Sequence, residues 1–385
     1  MPLKHIPKVI LLLETSRAFG RGLLRGIARY SKLHGPWSFY REARSLKSSI
    51  PHLSNWHANG IIMRNSIISR QLMELKLPTI MVLHEASRLD NTLPVVITDG
   101  HGIVELACEH LLGKGLQHFA YCGFDEFLWS EERKQLFERK MKEAGYGVHI
   151  YKRPRRKRTI SWEDEQSSMQ AWIAQLPKPI GVMTCNDDRG QHVLEACKLA
   201  GFRVPEDVAV IGVDNDALLC DLSDPPLTSV ALNTESAGYY MAELLSRLMN
   251  GEPMQGQEIC VQATHVVVRQ STDMLAVDDV NVATAVRYIR ENAKKKLRVD
   301  DVVFQTSLAR RSLEERFRKI IHRSIQEEIR RVRTDLISKM LIETTMTISE
   351  ITSIFNFTDV EHISRYFKKE KGIGPREYRK INRRF

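Results

Sequence analysis

Residues 204–215 read VPEDVAVIGVDN. Residues 208–213 are apolar or glycine without a break, and the run stops on Asp214 and Asn215. A strand with no polar alternation has both faces covered, as in a parallel sheet flanked by helices. Ligands of open α/β sheets collect beyond the carboxyl ends of such strands. This stretch therefore predicts the fold class and the place where polar residues matter.

Working outward, similar β-rich runs recur at 9–13, 60–63, 79–83, 95–98, 118–122 and 181–184. Helical patterns fall between them at 21–33, 102–112, 131–144, 190–200 and 235–249. Strand–helix alternation at this spacing predicts parallel sheets covered by helices. The pattern is too long for one five-stranded sheet, so two α/β lobes are expected.

The strand ends are rich in groups that bind hydroxyls. Leu13 leads into Glu14-Thr-Ser-Arg-Ala-Phe-Gly-Arg21, and Thr98 into Asp99. Cys122 leads toward Phe124, Asp125, Trp129 and Arg133, and Thr184 toward Asn186, Asp187 and Asp188. Carboxylates, amides and arginines exchange hydrogen bonds with neighbouring hydroxyls, while an aromatic face covers the apolar side of a sugar ring. Each residue also has a structural reading. Asn186 or Asp187 could cap the next helix, Asp214 could close a turn, and Phe124 and Trp129 could be core. Their joint placement is what points to a site.

Residues 1–271 form the expected sensor, 272–281 a polar linker, and 282–385 a helical module. Within 281–385 there are 25 Lys+Arg against 14 Asp+Glu, leaving 32 basic and 33 acidic residues in the rest, so the whole excess of +10 resides in the last quarter. A basic module beside a neutral body is the footprint of a polyanion binder. Its pattern runs short helix, turn, longer helix, twice. The first cycle carries Ser307 in its turn and residues 310–321 as a helix. A connecting helix at 325–341 has Ile329, Val332, Leu336 and Met340 as its stripe. In the second cycle, Thr347–Glu350 and Thr358–Glu361 fit capping boxes. Asn356 makes the turn, and Gly372 ends the last helix before Pro375.

The first 270 residues resemble the sugar-sensing domain of the LacI family and the periplasmic sugar-binding proteins, through 17–27 (RAFGRGLLRGI), 208–215 and 227–233 (LTSVALN). The resemblance implies sugar contacts at Arg21, Asp99, Arg133, Asn186 or Asp187, Asp214 and Asn233. Residues 357–379 (FTDVEHISRYFKKEKGIGPREYR) resemble the signature of the AraC family, as do 313–320 and 329–341. The combination is similar to the XylR type, a LacI-like sensor fused to a C-terminal AraC-type double helix-turn-helix. That resemblance implies operator DNA and a small sugar, D-xylose foremost, as ligands. It also implies a homodimer, with RNA polymerase as a further partner. Leu23, Leu24, Ile27 and Ala28 are the expected dimer face.

For base contacts, Arg310, Arg311, Glu314 and Glu315 are expected on the first recognition helix, and Glu361, Ser364 and Arg365 on the second. Arg holds guanine through two acceptors, and Glu accepts from cytosine. Lys368, Lys369, Lys371 and Arg379 read as phosphate contacts or as solvated residues. Departures from the AraC pattern stand at Ser307, Ala309, His322 and Asn356. Ala309 lacks a cap worth ~1 kcal/mol, whereas Asn tolerates positive φ.

A second reading keeps the sugar sensor and gives the helical module a protein or RNA partner instead of an operator. Enzyme chemistry is disfavoured: there is no phosphate-binding loop with Lys, no metal-spaced His/Cys set and no nucleophile elbow. No cofactor is expected. The six cysteines form no CxxC pair and read as reduced core residues of a cytoplasmic protein. No stretch approaches the ~20 apolar residues of a membrane span. The basic run at 153–158 reads as a solvated loop rather than a binding patch.

Overall fold

The computed structural model describes residues 6–41, 56–64, 74–83, 93–125, 127–153, 161–253, 256–273, 279–321, 323–344 and 346–382. The chain divides into two compact units, Met1–Met274 and Leu275–Phe385. Residues 154–158 of the basic run, and His322, lie outside the described residues.

The strands of unit one are β1 (Lys8–Leu12), β2 (Ser38–Arg41), β3 (Gly60–Arg64), β4 (Thr79–Val82), β5 (Val95–Thr98), β6 (His118–Cys122), β7 (Val148–Ile150), β8 (Ile180–Thr184), β9 (Val208–Val213), β10 (Thr228–Leu232), β11 (Glu258–Val261) and β12 (Ala263–Val267). They build two six-stranded sheets, ordered β11-β5-β4-β3-β1-β2 and β12-β10-β9-β8-β6-β7. Every pairing is parallel except β10 with β12. Two α/β lobes are therefore present, as the apolar strands require. β8 and β9 are buried along their whole length.

The chain passes between the sheets three times: after β5, between β10 and β11, and between β11 and β12. Three strands of backbone joining two lobes make a hinge with a cleft beside it. Asn233 stands at the second passage and Gln262 at the third. They are tied together, Asn233 Oδ1 accepting from Gln262 N at 2.7 Å and Gln262 O from Asn233 N at 3.0 Å.

The helices of this unit are α1 (Ala18–His34), α2 (Gly100–Leu112), α3 (Leu128–Glu143), α4 (Trp162–Gln175), α5 (Asp187–Leu199), α6 (Ala217–Leu222) and α7 (Thr234–Met249). α1 and α7 pack backbone to backbone. A Cβ on Gly26 would fall 2.0 Å from Glu235 O, and one on Gly238 2.1 Å from Leu23 O. This contact removes Leu23 and Ile27 from the expected dimer face, while Leu24 and Ala28 stay half-buried. Leu23 and Ile27 are 0% and 1% exposed within their own chain, because α7 covers them, so they cannot meet a second copy.

Unit two contains α8 (Val280–Glu291), α9 (Val299–Val303), α10 (Arg310–Ile321), α11 (Ile325–Glu343), α12 (Ile348–Ile354), α13 (Val360–Lys371) and α14 (Pro375–Asn382). It has two cores. One gathers Val286, Ile289, Leu313 and Phe317, the other Ile351, Phe355, Ile363 and Phe367. α11 serves both, through Ile325 and Ile329 at one end and Ile337 and Leu341 at the other. Val332, Leu336 and Met340, the expected stripe, are half-buried beside this seam.

Arg333 at the middle of α11 is 5% exposed. Its guanidinium donates to Ala293 O at 2.8 Å, to Lys295 O, and to Phe355 O at 2.6 Å. One buried cation thus satisfies carbonyls from both halves of the module.

Local chemistry sets the helix ends. Thr347 and Glu350 form the expected capping box. Gly372 ends α13 at φ +75°, and Asn356 takes the turn at φ +54°. The second expected box is corrected: Asp359, not Thr358, caps α13, its Oδ1 accepting from His362 N at 2.6 Å. Those bonds hold the Asp359 carboxyl below its ordinary pKa and leave the Glu361 side chain out of the cap.

Candidate ligand cleft and nucleic-acid interface

The cleft of unit one is lined from the first lobe by Leu13, Glu14, Arg17, Phe19, Gly20, Leu23, Arg64, Val82, Leu83 and Thr98, and from the second by Trp129, Arg133, Asn186 and Asp214. Every second-lobe residue here was expected from its position after a strand.

Asp214 follows β9 with φ +99°, an uncommon conformation for a residue with a side chain. Its carboxylate makes no hydrogen bond among the described residues. Burial pushes its pKa up to about 6, with Arg133 and Arg17 pulling the other way. Arg133, on α3, is 3% exposed. It donates to Cys185 O and stacks its guanidinium 5.0 Å from the Trp129 ring centre. Its Nε is buried with no hydrogen-bond partner among the described residues. Trp129 is itself stacked on Phe127 at 5.5 Å and 13°. The cleft thus presents a carboxylate with no hydrogen-bond partner among the described residues, beside an enclosed guanidinium and the Trp129 ring.

Asn186 does two things. It lines the cleft, and it caps α5 by accepting from Arg189 N at 3.1 Å. Its Nδ2 donates to Asp188 at 2.9 Å.

The other expected sugar contacts do not reach the lining. Asp187 is buried under the loop, accepting from Ser229 Oγ and Asp216 N, both at 2.6 Å. Burial, then the neighbouring Asp214 carboxylate, raises its pKa. Arg21 bonds Asp216 at 2.5 Å and the carbonyls of Thr15 and Ser16. Asp99 caps α2, accepting from Gly102 N at 2.8 Å. Asn233 holds the hinge.

Contacts across the cleft run from the start of α1. Asp216 accepts from Ala18 N at 2.9 Å as well as from Arg21, and Arg17 pairs with Asp188 at 2.6 Å. Glu14 pairs with Arg64 and accepts from Ser16. Glu14 and Arg17 lie in a quoted strand end without having been singled out. Arg64 directly follows the 60–63 run, so the strand-end signal that points to Asp214 points to it as well.

On unit two, Arg311, Glu314 and Glu315 are exposed along α10 and border one groove with Arg318 and Lys319. Arg310 is held by Glu314 at 3.0 Å and Asp300 at 2.8 Å. Ser307 bonds Asn281 Oδ1 through its amide at 3.0 Å and its hydroxyl at 2.9 Å. It is therefore committed to α8.

On α13, Glu361 and Arg365 are exposed and border a second groove with Ser364 and Arg376. The Ser364 hydroxyl donates back to Val360 O at 2.6 Å. Lys368 and Lys369 are exposed. Two expected phosphate candidates are corrected: Arg379 donates to Leu341 O at 2.9 Å and Met346 O at 2.5 Å, and Lys371 pairs with Asp335 at 2.8 Å. Both serve the fold.

Comparison with known proteins follows this division. Residues 108–272 match a periplasmic binding protein-like domain, and residues 303–381 a helix-turn-helix domain. The chain is 30% identical over 383 residues to the xylose operon regulatory protein of Escherichia coli (strain K12), covering 97% of each. It is 30% identical over 382 residues to the protein of that name from Haemophilus influenzae, covering 97% of this chain and 98% of the relative. Among solved structures, that of the xylose-binding transcription activator XylR is similar with a TM-score of 0.81 and 29% identity, covering 99% of this chain and 100% of that one. The complex of the regulator CelR with cellobiose shares the fold alone, at 21% identity and a TM-score of 0.57, covering 70% of this chain and 86% of that one.

Proposed function

This chain belongs to the family of xylose operon regulatory proteins, and we propose that it is a DNA-binding transcription regulator controlled by a small sugar, D-xylose or a close relative, held in the cleft of unit one. It is a regulator rather than an enzyme.

The observation that carries the sugar reading is the pair of unmet groups in the cleft. Among the described residues the half-buried Asp214 carboxylate has no hydrogen-bond donor, and the enclosed Arg133 Nε has no acceptor. Leaving buried polar groups unpaired is costly. Sugar hydroxyls supply the donors that Asp214 lacks, with the ring lying against Trp129. Asn186 completes the polar wall.

Unit two supplies the operator reader. Arg311 and Arg365 are exposed on α10 and α13 and serve as guanine readers, with Glu314, Glu315 and Glu361 beside them. Lys368 and Lys369 take phosphates. Asn356 preserves the second turn, so α13 carries more of the base specificity than α10. The regulator acts in the cytoplasm as a homodimer, each module reading a half-site, and meets RNA polymerase at the promoter.

A thermal-shift screen of pentoses and hexoses on the full chain tests the sugar reading. D-Xylose raises the melting temperature if it is correct. A screen in which no sugar does so overturns it.

A further inference from the structure

The loop that carries Asp214 is tethered at each of its next two residues. Asp214 and Asn215 stand at φ +99° and +48°, so two consecutive residues with side chains take the left-handed region. Asp216 accepts from Arg21 and Ala18 N of the first lobe. The Asn215 side chain instead accepts from Arg269 Nη1 at 2.9 Å, far along the chain. Arg269 is enclosed, its side chain 14% exposed. The same Nη1 donates to Leu227 O at 3.1 Å, and Nε to Asp221 Oδ1 on α6 at 3.0 Å. The Arg269 backbone is held too, its amide donating to Thr228 Oγ1 at 2.8 Å and its carbonyl accepting from that hydroxyl at 2.9 Å. Two residues on, Ser271 Oγ donates to Val210 O at 2.6 Å, and Thr272 Oγ1 to Thr228 Oγ1 at 2.9 Å. Residues 269–272 are thus bonded into the second lobe. Residues 274–278 follow in sequence, and Asp279 then caps α8, the first helix of unit two.

The neighbour of the sugar acceptor and the root of the linker are therefore one hydrogen bond apart. We propose that the Asn215–Arg269 bond is the link through which sugar on Asp214 is reported to the helical module. This rests on the sugar reading above and names the regulation of that site. Asn215 and Arg269 are positioning residues, and neither is among the residues lining the cleft. Coupling of this kind needs a bonded element whose arrangement differs between the free and the liganded state. Sugar hydroxyls on Asp214 fix where its carboxylate sits. With the next side chain tethered, the loop cannot settle around a ligand without carrying the Arg269 guanidinium, and with it the start of the linker.

The test compares the parent with Asn215→Gly, both as full chains. Glycine takes positive φ freely, and the amide of residue 215 still reaches Ser229 Oγ, so the substitution removes the bond to Arg269 and keeps the backbone. Affinity for DNA selected by the parent from a random pool, with and without saturating D-xylose, gives a coupling ratio, and calorimetry without DNA gives the D-xylose Kd. Coupled sites commonly change each other's affinity about 5- to 150-fold. Asn215→Gly should bind D-xylose as the parent does while its ratio falls to about one. A purely structural bond would lower the melting temperature and leave the ratio alone. A variant that keeps the parent's ratio overturns the link and leaves the sugar reading intact. A variant that no longer binds D-xylose places Asn215 in the sugar site and overturns the link as well. A parent that binds D-xylose without any change in DNA affinity overturns both the link and the sugar control proposed above. If Asn215→Gly folds poorly, Arg269→Lys carries the same expectation, because a lysine keeps a cation for Asp221 and lacks the second branch that reaches Asn215.

Discussion

Arginine is used in opposite ways by the two units. In the cleft, Arg133 is 3% exposed, packed on Trp129 and left with one donor that has no partner among the described residues. On the helical module, Arg311 and Arg365 are exposed at the surface. A buried donor with no partner accepts a ligand that fits it and little else, and salt screens it weakly. An exposed guanidinium accepts any anion, and its interaction falls steeply with ionic strength. The first arrangement suits recognition of a small neutral molecule, and the second suits a polyanion. Arg333 is a third case, buried and fully employed in holding the two halves of the module together.

Removing the employed arginine should have the largest effect. Arg333→Ala strands three carbonyls and opens a cavity between the two cores. We expect a loss of about 3–5 kcal/mol in the unfolding of the helical module, measured by denaturant titration of the full chain. A loss below about 1 kcal/mol would mean that water replaces the guanidinium there.

The cleft comes next. A ligand selective for the folded state at 100 times its Kd adds ~2.7 kcal/mol of stability. Asp214→Ala abolishes that gain and leaves the unliganded melting temperature nearly unchanged. The pH dependence sharpens the assignment. With its pKa raised to about 6, the unliganded Asp214 holds its proton below that pH, whereas accepting from sugar hydroxyls through both oxygens requires the ionised form. Sugar affinity should therefore weaken as pH falls through about 6, with proton release on binding below it. Asp214→Asn should flatten the profile. A pH-independent Kd in the parent would show that the carboxylate does not hold the sugar.

The exposed arginines rank third. Arg311→Ala and Arg365→Ala should each cost ~1–3 kcal/mol and relax preference at particular bases, with Arg365 the larger. Operator selection from a random DNA pool reads this directly, and an unchanged preference for Arg365→Ala refutes the assignment. Smallest is Lys369→Ala, which should weaken all sequences alike and reduce the slope of log affinity against log salt by ~0.9.

Much of this contrast was legible in the sequence, for physical reasons. Fully buried strands such as β8 and β9 need unbroken apolar runs, so they announced the lobes and, at their ends, Asn186 and Asp214. β11 and β12 did not announce themselves. Their half-polar residues become strands by pairing with β5 and β10, which are remote in sequence. The same remoteness hid the α1–α7 contact that buries Leu23 and Ile27. Carboxylates and amides at strand ends were legible as polar but not by role. Asp99 and Asn233 went to a helix cap and the hinge, and Arg21 and Asp187 to contacts with the 214–216 loop and the strand beside it. Choosing among those fates depends on which backbone groups lie within 3 Å, and one-dimensional order does not carry that. In the helical module, caps and turns are local, so Thr347–Glu350, Asn356 and Gly372 were readable. Arg379 and Lys371 were not, because their partners at Leu341, Met346 and Asp335 lie more than 30 residues away.

The central claim is that sugar in the cleft sets the affinity of the helical module for DNA. Operator affinity of the full chain, measured with and without saturating D-xylose for the parent and for Asp214→Ala, tests it most directly. A shift is expected in the parent, matched by an equal shift of xylose affinity when operator is bound, and no shift in the variant. A parent indifferent to xylose, or a variant that responds as the parent does, would contradict it.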